Sequence, residues 1–290
     1  MENGETPQIH LPTNLKGDKR NIALLLCLYT LQGIPLGLSS AIPMILQNRG
    51  VSYKQQVNDF VSRIFLIVEF QAEFSFVTWP FSLKLLWAPI VDSIFSSRVG
   101  RRKTWLIPTQ YLIGAFMLLL SGHVEQWLGS EGVEPNIEIL TFLFFSLNFL
   151  AATQDIAVDG WALTMLKKRN VGHASTCNSV GQTAGFFLSY VVFMALESAS
   201  FCNMYMRSEP EDTGIVTLPG FLYFWGWVFV VSTTLVALLK KEVEPRDSEH
   251  EVVHDRDVQT AYKSLKDILA LRPVQTLVII LLTCKVCGYE

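Results

Sequence analysis

Runs of about 20 apolar residues recur along this chain, and that repetition constrains the fold more than any other feature. A run of that length spans the hydrocarbon core of a bilayer as an α-helix, with every backbone polar group bonded inside the segment. Half of the 290 residues are hydrophobic and only 17% are charged, where an ordinary soluble domain carries about a quarter. The expectation is an all-α polytopic membrane protein.

The runs place spans at 21–47, 72–95, 104–121, 139–166, 174–197 and 218–239. Residues 1–20 form a polar tail, 21–239 a six-helix bundle, 240–272 a charged linker, and 273–290 the start of a seventh run. Loops are expected at 122–138 and 200–217. Segment 57–71 fits poorly: it carries Asp59, Arg63 and Glu69 and is too short to span. It reads as an interfacial helix in the first loop or as the translation of a retained intron. Basic residues cluster in alternate loops: Lys16, Lys19 and Arg20, then Arg98 and Arg101 to Lys103, then Lys167 to Arg169, then the linker after Lys240. The excess of Lys and Arg on one side puts the N-terminus in the cytosol.

Polar groups inside apolar runs are costly at membrane depth and mark function or pairing. The stretch 151–187 holds most of them: Gln154, Asp155, Asp159, Asn178 and Gln182. Asp155 and Asp159 are four apart and share a helix face. Lys84 and Trp87 share a face of the second span, and Gln32 is the polar group of the first. Lys84 either attracts an anion or pairs with Asp155 or Asp159. The two carboxylates repel an anionic ligand when bare, so gating, structural pairing or proton uptake suits them better. Ser175, Asn178 and Gln182 form a polar stripe that lines a cavity or bonds between helices. Gly33 with Gly37, and Gly181 with Gly185, are spaced for close helix contact. Trp161 reads as an interfacial anchor. The five cysteines build no disulfide framework. Cys284-x-x-Cys287 stands alone in an apolar run and is not read as a metal or redox pair. No nucleophile elbow, zinc-ligand cluster or Walker loop is present, so no enzyme, metal or cofactor is expected, and no nucleic-acid partner.

Six spans, a charged linker and a new span resemble half of a major facilitator transporter, whose substrate lies between two six-helix halves. Asp92 followed by Gly100-Arg-Arg-Lys103 resembles the loop motif of that superfamily, with Ala88 in place of its first glycine and a longer Asp-to-Gly spacing. The resemblance implies that Asp92, Arg101 and Arg102 brace a gate.

Longer runs are similar to the acetyl-coenzyme A transporters of the endoplasmic reticulum membrane. They are Leu31-Gln-Gly-Ile-Pro-Leu-Gly-Leu38, Trp79-Pro-Phe-Ser-Leu-Lys-Leu-Leu-Trp-Ala-Pro89, Ala151-Ala-Thr-Gln-Asp-Ile-Ala-Val-Asp-Gly-Trp-Ala-Leu163 and Ser175-Thr-Cys-Asn-Ser-Val-Gly-Gln-Thr-Ala-Gly185. The likeness covers about 21–285 apart from 57–71, and extends more distantly to bacterial muropeptide permeases. It implies a secondary carrier moving acetyl-CoA from cytosol to lumen, where it supplies acetylation of glycans and proteins. Acetyl-CoA needs cations, an aromatic surface and amide donors, which makes Lys84, Trp87, Gln154, Asn178, Gln182 and Gln32 the candidate substrate groups. Asp155 and Asp159 join Asp92, Arg101 and Arg102 as candidate gating groups. Family members continue through further spans, so the expected partners are the bilayer, acetyl-CoA, and a missing C-terminal half or second chain. The alternatives are a permease for another bulky anion or muropeptide-like solute, and a non-transporting membrane scaffold.

Overall fold

The computed structural model describes residues 17–53, 76–96, 98–129, 136–240, 242 and 258–287, without the side chains of 47–53, 281, 282 and 284–287. Segment 57–71 and the Cys284–Cys287 side chains therefore lie outside the described residues.

Helices are α1 (Lys19–Tyr53), α2 (Trp79–Leu83), α3 (Ala88–Ser93), α4 (Lys103–Leu128), α5 (Ile137–Met165), α6 (His173–Phe187), α7 (Phe193–Glu197), α8 (Ala199–Tyr205), α9 (Leu218–Leu239), α10 (Val258–Leu269) and α11 (Arg272–Cys287). No strand occurs among the described residues; one antiparallel bridge joins Ser96 to Gly100. Five helical stretches are long and apolar enough to cross a membrane: Lys19–Leu46, Lys103–Leu128, Ile137–Met165, His173–Glu197 and Leu218–Leu239. The protein is an all-α polytopic membrane protein.

The segment expected as one continuous second span is broken. A 3₁₀ turn (Phe76–Thr78), α2, a second 3₁₀ turn (Lys84–Leu86) and α3 follow one another. Pro80 and Pro89 stand in the first turns of α2 and α3. Proline supplies no N–H to a preceding carbonyl and suits the first turn of a helix, where none is needed, so both stand where a helix restarts. Three expected loops are partly helical. Helix α4 continues to Leu128, past the limit drawn at 122; α8 occupies the polar loop after 200; α10 lies within the charged linker.

Two tight helix pairs organise the bundle. Helix α1 packs along α6, α4 packs along α9, and α5 touches both α1 and α4. The α1–α6 contact is backbone against backbone. A Cβ on Gly185 would fall 2.0 Å from the Thr30 carbonyl oxygen and 2.9 Å from the Gly33 Cα. On Gly37 it would fall 2.6 Å from the Phe186 carbonyl oxygen. Dispersion, not hydrophobic exclusion, holds helices together in lipid, so small residues at this seam bring more atoms into contact. Helix α6 then passes through a π turn (Leu188–Val192) into α7, with the Ser189 hydroxyl donating to the Gly185 carbonyl at 2.9 Å.

Apolar side chains fill two buried clusters. One centres on Ile34, Leu38, Ile113, Phe144, Phe193 and Phe229. The other, nearer the basic loops, centres on Leu25, Leu28, Leu106, Trp161, Cys177 and Val236. Trp161 is 2% exposed, which corrects its expected role as an interfacial anchor. Its indole belongs to the second buried cluster, with Leu25, Leu28 and Leu106.

Candidate functional site

Polar side chains from four segments meet along the α1–α5 seam. Lys84, in the second 3₁₀ turn, places its Nζ against Asp155 Oδ2 and 3.9 Å from Asp159 Oδ2. Lys84 thus stands in the break between α2 and α3. Gln32 Nε2 donates to Asp155 Oδ1 at 2.6 Å. The Tyr29 hydroxyl donates to Asp159 Oδ1 at 2.7 Å, and Asn178 Nδ2 donates to the same oxygen at 3.0 Å. Helical spacing explains the convergence: Tyr29 and Gln32 are three apart on α1, Asp155 and Asp159 four apart on α5.

The two carboxylates differ in setting. The Asp155 side chain is 3% exposed, against 43% for Asp159 and 37% for Lys84. Asp155 is thus the buried anchor of the lysine, and Asp159 the open side of the cluster. Asp155 lies ten residues from the end of α5 at Met165, or about 15 Å along the axis. With all three groups ionised, one positive and two negative charges leave the cluster at −1.

The remaining candidate groups scatter around this centre. The Trp87 indole N–H donates to the Thr153 hydroxyl at 3.2 Å, and its ring lies 4.9 Å from that of Phe149. Gln154 is fully buried with its amide 3.4 Å from the Leu28 carbonyl, inside the α1–α5 contact. Gln182 is half-buried, and its side chain makes no hydrogen bond among the described residues. The acceptor oxygens of Gln32 and Gln154 are buried without a partner among the described residues. An apolar cavity of about 360 Å³, lined by Leu112, Phe116, Phe142, Phe145 and Phe149, opens between α4 and α5. Its lining carries no ionisable group, so the charged cluster is the better candidate for a polar solute.

A second cluster closes the end of the bundle that carries the basic loops. Asp92 pairs with Arg102, and its backbone carbonyl accepts from Arg101 Nε at 3.1 Å. The Arg102 guanidinium lies flat over Gly160, where a Cβ would fall 2.2 Å from its Cζ. Glu242 sits at the start of α4, accepting from the Arg102 and Lys103 backbone N–H groups at 3.0 and 3.1 Å. A carboxylate at a helix N-terminus satisfies its free donors and the positive end of the dipole. Lys103 does the converse for α9, donating to the Ala237 and Lys240 carbonyls at 3.0 and 2.7 Å. Lys240 donates to Asn21 at 2.6 Å, and burial pulls its ammonium below the usual lysine range. Asn170 donates to Asp18 at 2.6 Å.

Sequence reasoning passed over Tyr29, Thr153, Asp18, Asn21, Asn170 and Glu242. Tyr29 was detectable, because it precedes Gln32 by three on the same face. Glu242 was not, because nothing local distinguishes it from the other charges of the linker.

A helical membrane bundle with a lysine and two carboxylates held at depth has the make-up of a polytopic transport protein. The comparisons narrow this: the profile of the acetyl-coenzyme A transporter 1 family matches residues 21–256, and the chain belongs to that family. An uncharacterized protein of Schizosaccharomyces pombe is 36% identical over 263 residues, 90% of this chain and 46% of its own length. An uncharacterized membrane protein of Saccharomyces cerevisiae is 37% identical over 241 residues, 78% of this chain and 41% of its own. The anhydromuropeptide permease of Escherichia coli is 28% identical over 120 residues, 40% of this chain and 22% of its own. The chain spans less than half the length of each of these relatives. No solved structure matches it.

Proposed function

We propose that this chain forms one half of a major facilitator carrier that moves acetyl-CoA from the cytosol into the lumen of the endoplasmic reticulum, with its N-terminus cytosolic and no catalytic role of its own. Family membership supports the substrate class. The single structural observation that carries the reading is the lysine held at depth between Asp155 and Asp159. Asp155 grips Lys84 from the buried side, while the more distant Asp159 leaves part of the ammonium open. A phosphate oxygen of the substrate replaces Asp159 at that open side. Trp87 and Phe149 supply an aromatic surface within reach of the adenine or the pantetheine arm. Asn178, released from Asp159, becomes an amide donor.

Similarity to a muropeptide permease favours a second reading, in which the solute is a bulky sugar-peptide. The test is uptake of radiolabelled acetyl-CoA by proteoliposomes holding this chain, and in parallel this chain joined to the C-terminal half of the S. pombe relative. The expected result is uptake by the joined form, competed by unlabelled acetyl-CoA and not by anhydromuropeptide. Competition in the reverse order moves the assignment to the second reading. Absence of uptake by either form, with folding verified by size-exclusion chromatography, sinks the acetyl-CoA reading.

A further inference from the structure

Helix α10 is apolar on one side and polar on the other. At 100° per residue, Val258, Ala261, Tyr262, Leu265, Ile268 and Leu269 fall within an arc of about 120°. Lys266 flanks that arc, and Lys263 lies on the polar side one turn from Asp267, the single acidic residue of the helix. Part of the apolar face rests on α3, where Val258, Ala261 and Leu265 are half-buried. The Tyr262 hydroxyl ties it down by donating to the Leu86 carbonyl at 2.5 Å. The rest is uncovered among the described residues: Ile268, Leu269 and Leu271 are 53%, 41% and 54% exposed, and Leu85 and Leu86, at the Tyr262 contact, are 51% and 61% exposed.

Its depth is set by what it touches. Helix α3 leads through Ile94 directly into the loop of Arg98 and Arg101 to Lys103, the end of the bundle where Lys103 and Lys240 also lie. A helix seated on α3 therefore lies toward the end of the bundle that carries the basic loops. We infer that α10 is an interfacial helix for an anionic lipid surface: Ile268 and Leu269 enter the acyl boundary, and Lys263 and Lys266 meet the headgroups. A polar-faced helix with basic residues beside its apolar arc is the composition such a surface binds. Two lysines against one carboxylate, and the contact of Tyr262 with the exposed Leu85–Leu86 turn, favour an anionic lipid surface over a protein partner.

A fluorescent label on the full chain reconstituted in vesicles of phosphatidylcholine and phosphatidylserine tests this. It is attached through Ile268→Cys or, on the polar side, Thr260→Cys in a background with the five native cysteines changed to serine. A genetically encoded fluorescent amino acid at the same positions, in the unaltered background, covers the case in which the serine background misfolds. Doxyl-labelled phospholipid is expected to quench the label at 268 at least about twofold more than at 260, with aqueous iodide showing the opposite order. Replacing Lys263 and Lys266 with Glu lowers lipid quenching at 268 in anionic vesicles and leaves it unchanged in pure phosphatidylcholine. Equal iodide access at both positions overturns the inference, as does protection of 268 from both quenchers, which would mean protein covers the face. Lipid quenching at 268 that ignores the Lys-to-Glu change overturns the role of the lysines.

Discussion

Lys84 is the residue on which the central cluster turns. Truncating it strands Asp155 in a buried site, and a lone buried carboxylate is costly. Lys84→Ala is expected to destabilise the protein by roughly 2 kcal/mol, below the cost for a fully buried pair because the ammonium is about one-third exposed. Adding Asp155→Asn removes the stranded charge, so the double variant costs less than the sum of the singles. A double-mutant cycle of thermal midpoints in detergent measures this; strict additivity would show that the two groups do not interact. The pairing of Lys84 with a carboxylate of the fourth long run was readable in sequence, because few charges lie at that depth. Its division of labour was not. Only the third dimension shows Gln32 on Asp155 and Tyr29 with Asn178 on Asp159, since hydrogen bonds across helices leave no periodic trace.

At the level of the helices, the closest fit is the glycine seam of α1 and α6. Gly185→Ala drives a methyl into the Thr30 carbonyl and the Gly33 backbone, neither of which can rotate aside. A loss of about 2–3 kcal/mol is expected, at the upper end for overpacking. Gly122→Ala in α4 is the control, with no neighbouring atom within 4 Å of the new Cβ. There the gain in helix propensity stabilises by about 0.5–1 kcal/mol. Thermal midpoints moving in the same direction for both would refute the seam. Glu242→Ala removes the cap of α4 and is expected to cost about 1–2 kcal/mol. Glu242→Gln should recover part of that, since an amide oxygen still accepts. The long spans were legible as apolar runs of membrane length. The break in the second run was less so: its prolines were visible, but membrane helices tolerate proline, and only local 3₁₀ geometry shows which way the chain settled. Helix α10 was hidden for a different reason, because a segment counted by its charges conceals the spacing of its apolar residues.

Across the whole molecule, two rigid helix pairs flank α5, while the 76–93 segment is held by short turns and by side chains. Amide exchange in detergent should therefore be at least about a hundredfold faster in Phe76–Leu86 than in the middle of α5, a difference of roughly 2.7 kcal/mol in opening free energy. Equal protection would mean that this segment folds as one unit with the pairs. That contrast bears on the central cluster, because its lysine rides on the looser element and both carboxylates on the firmest. Three charges cannot be matched two by two, whichever way the lysine leans. One negative charge is left over, and it either stays, or is cancelled by a proton. If it stays, the membrane voltage acts on it, with about 2.3 kcal/mol per 100 mV for a full crossing. If a proton cancels it, voltage loses its handle and the pH difference across the membrane gains one. In the proposed carrier, the odd charge between Lys84, Asp155 and Asp159 would then decide which of the two gradients is felt.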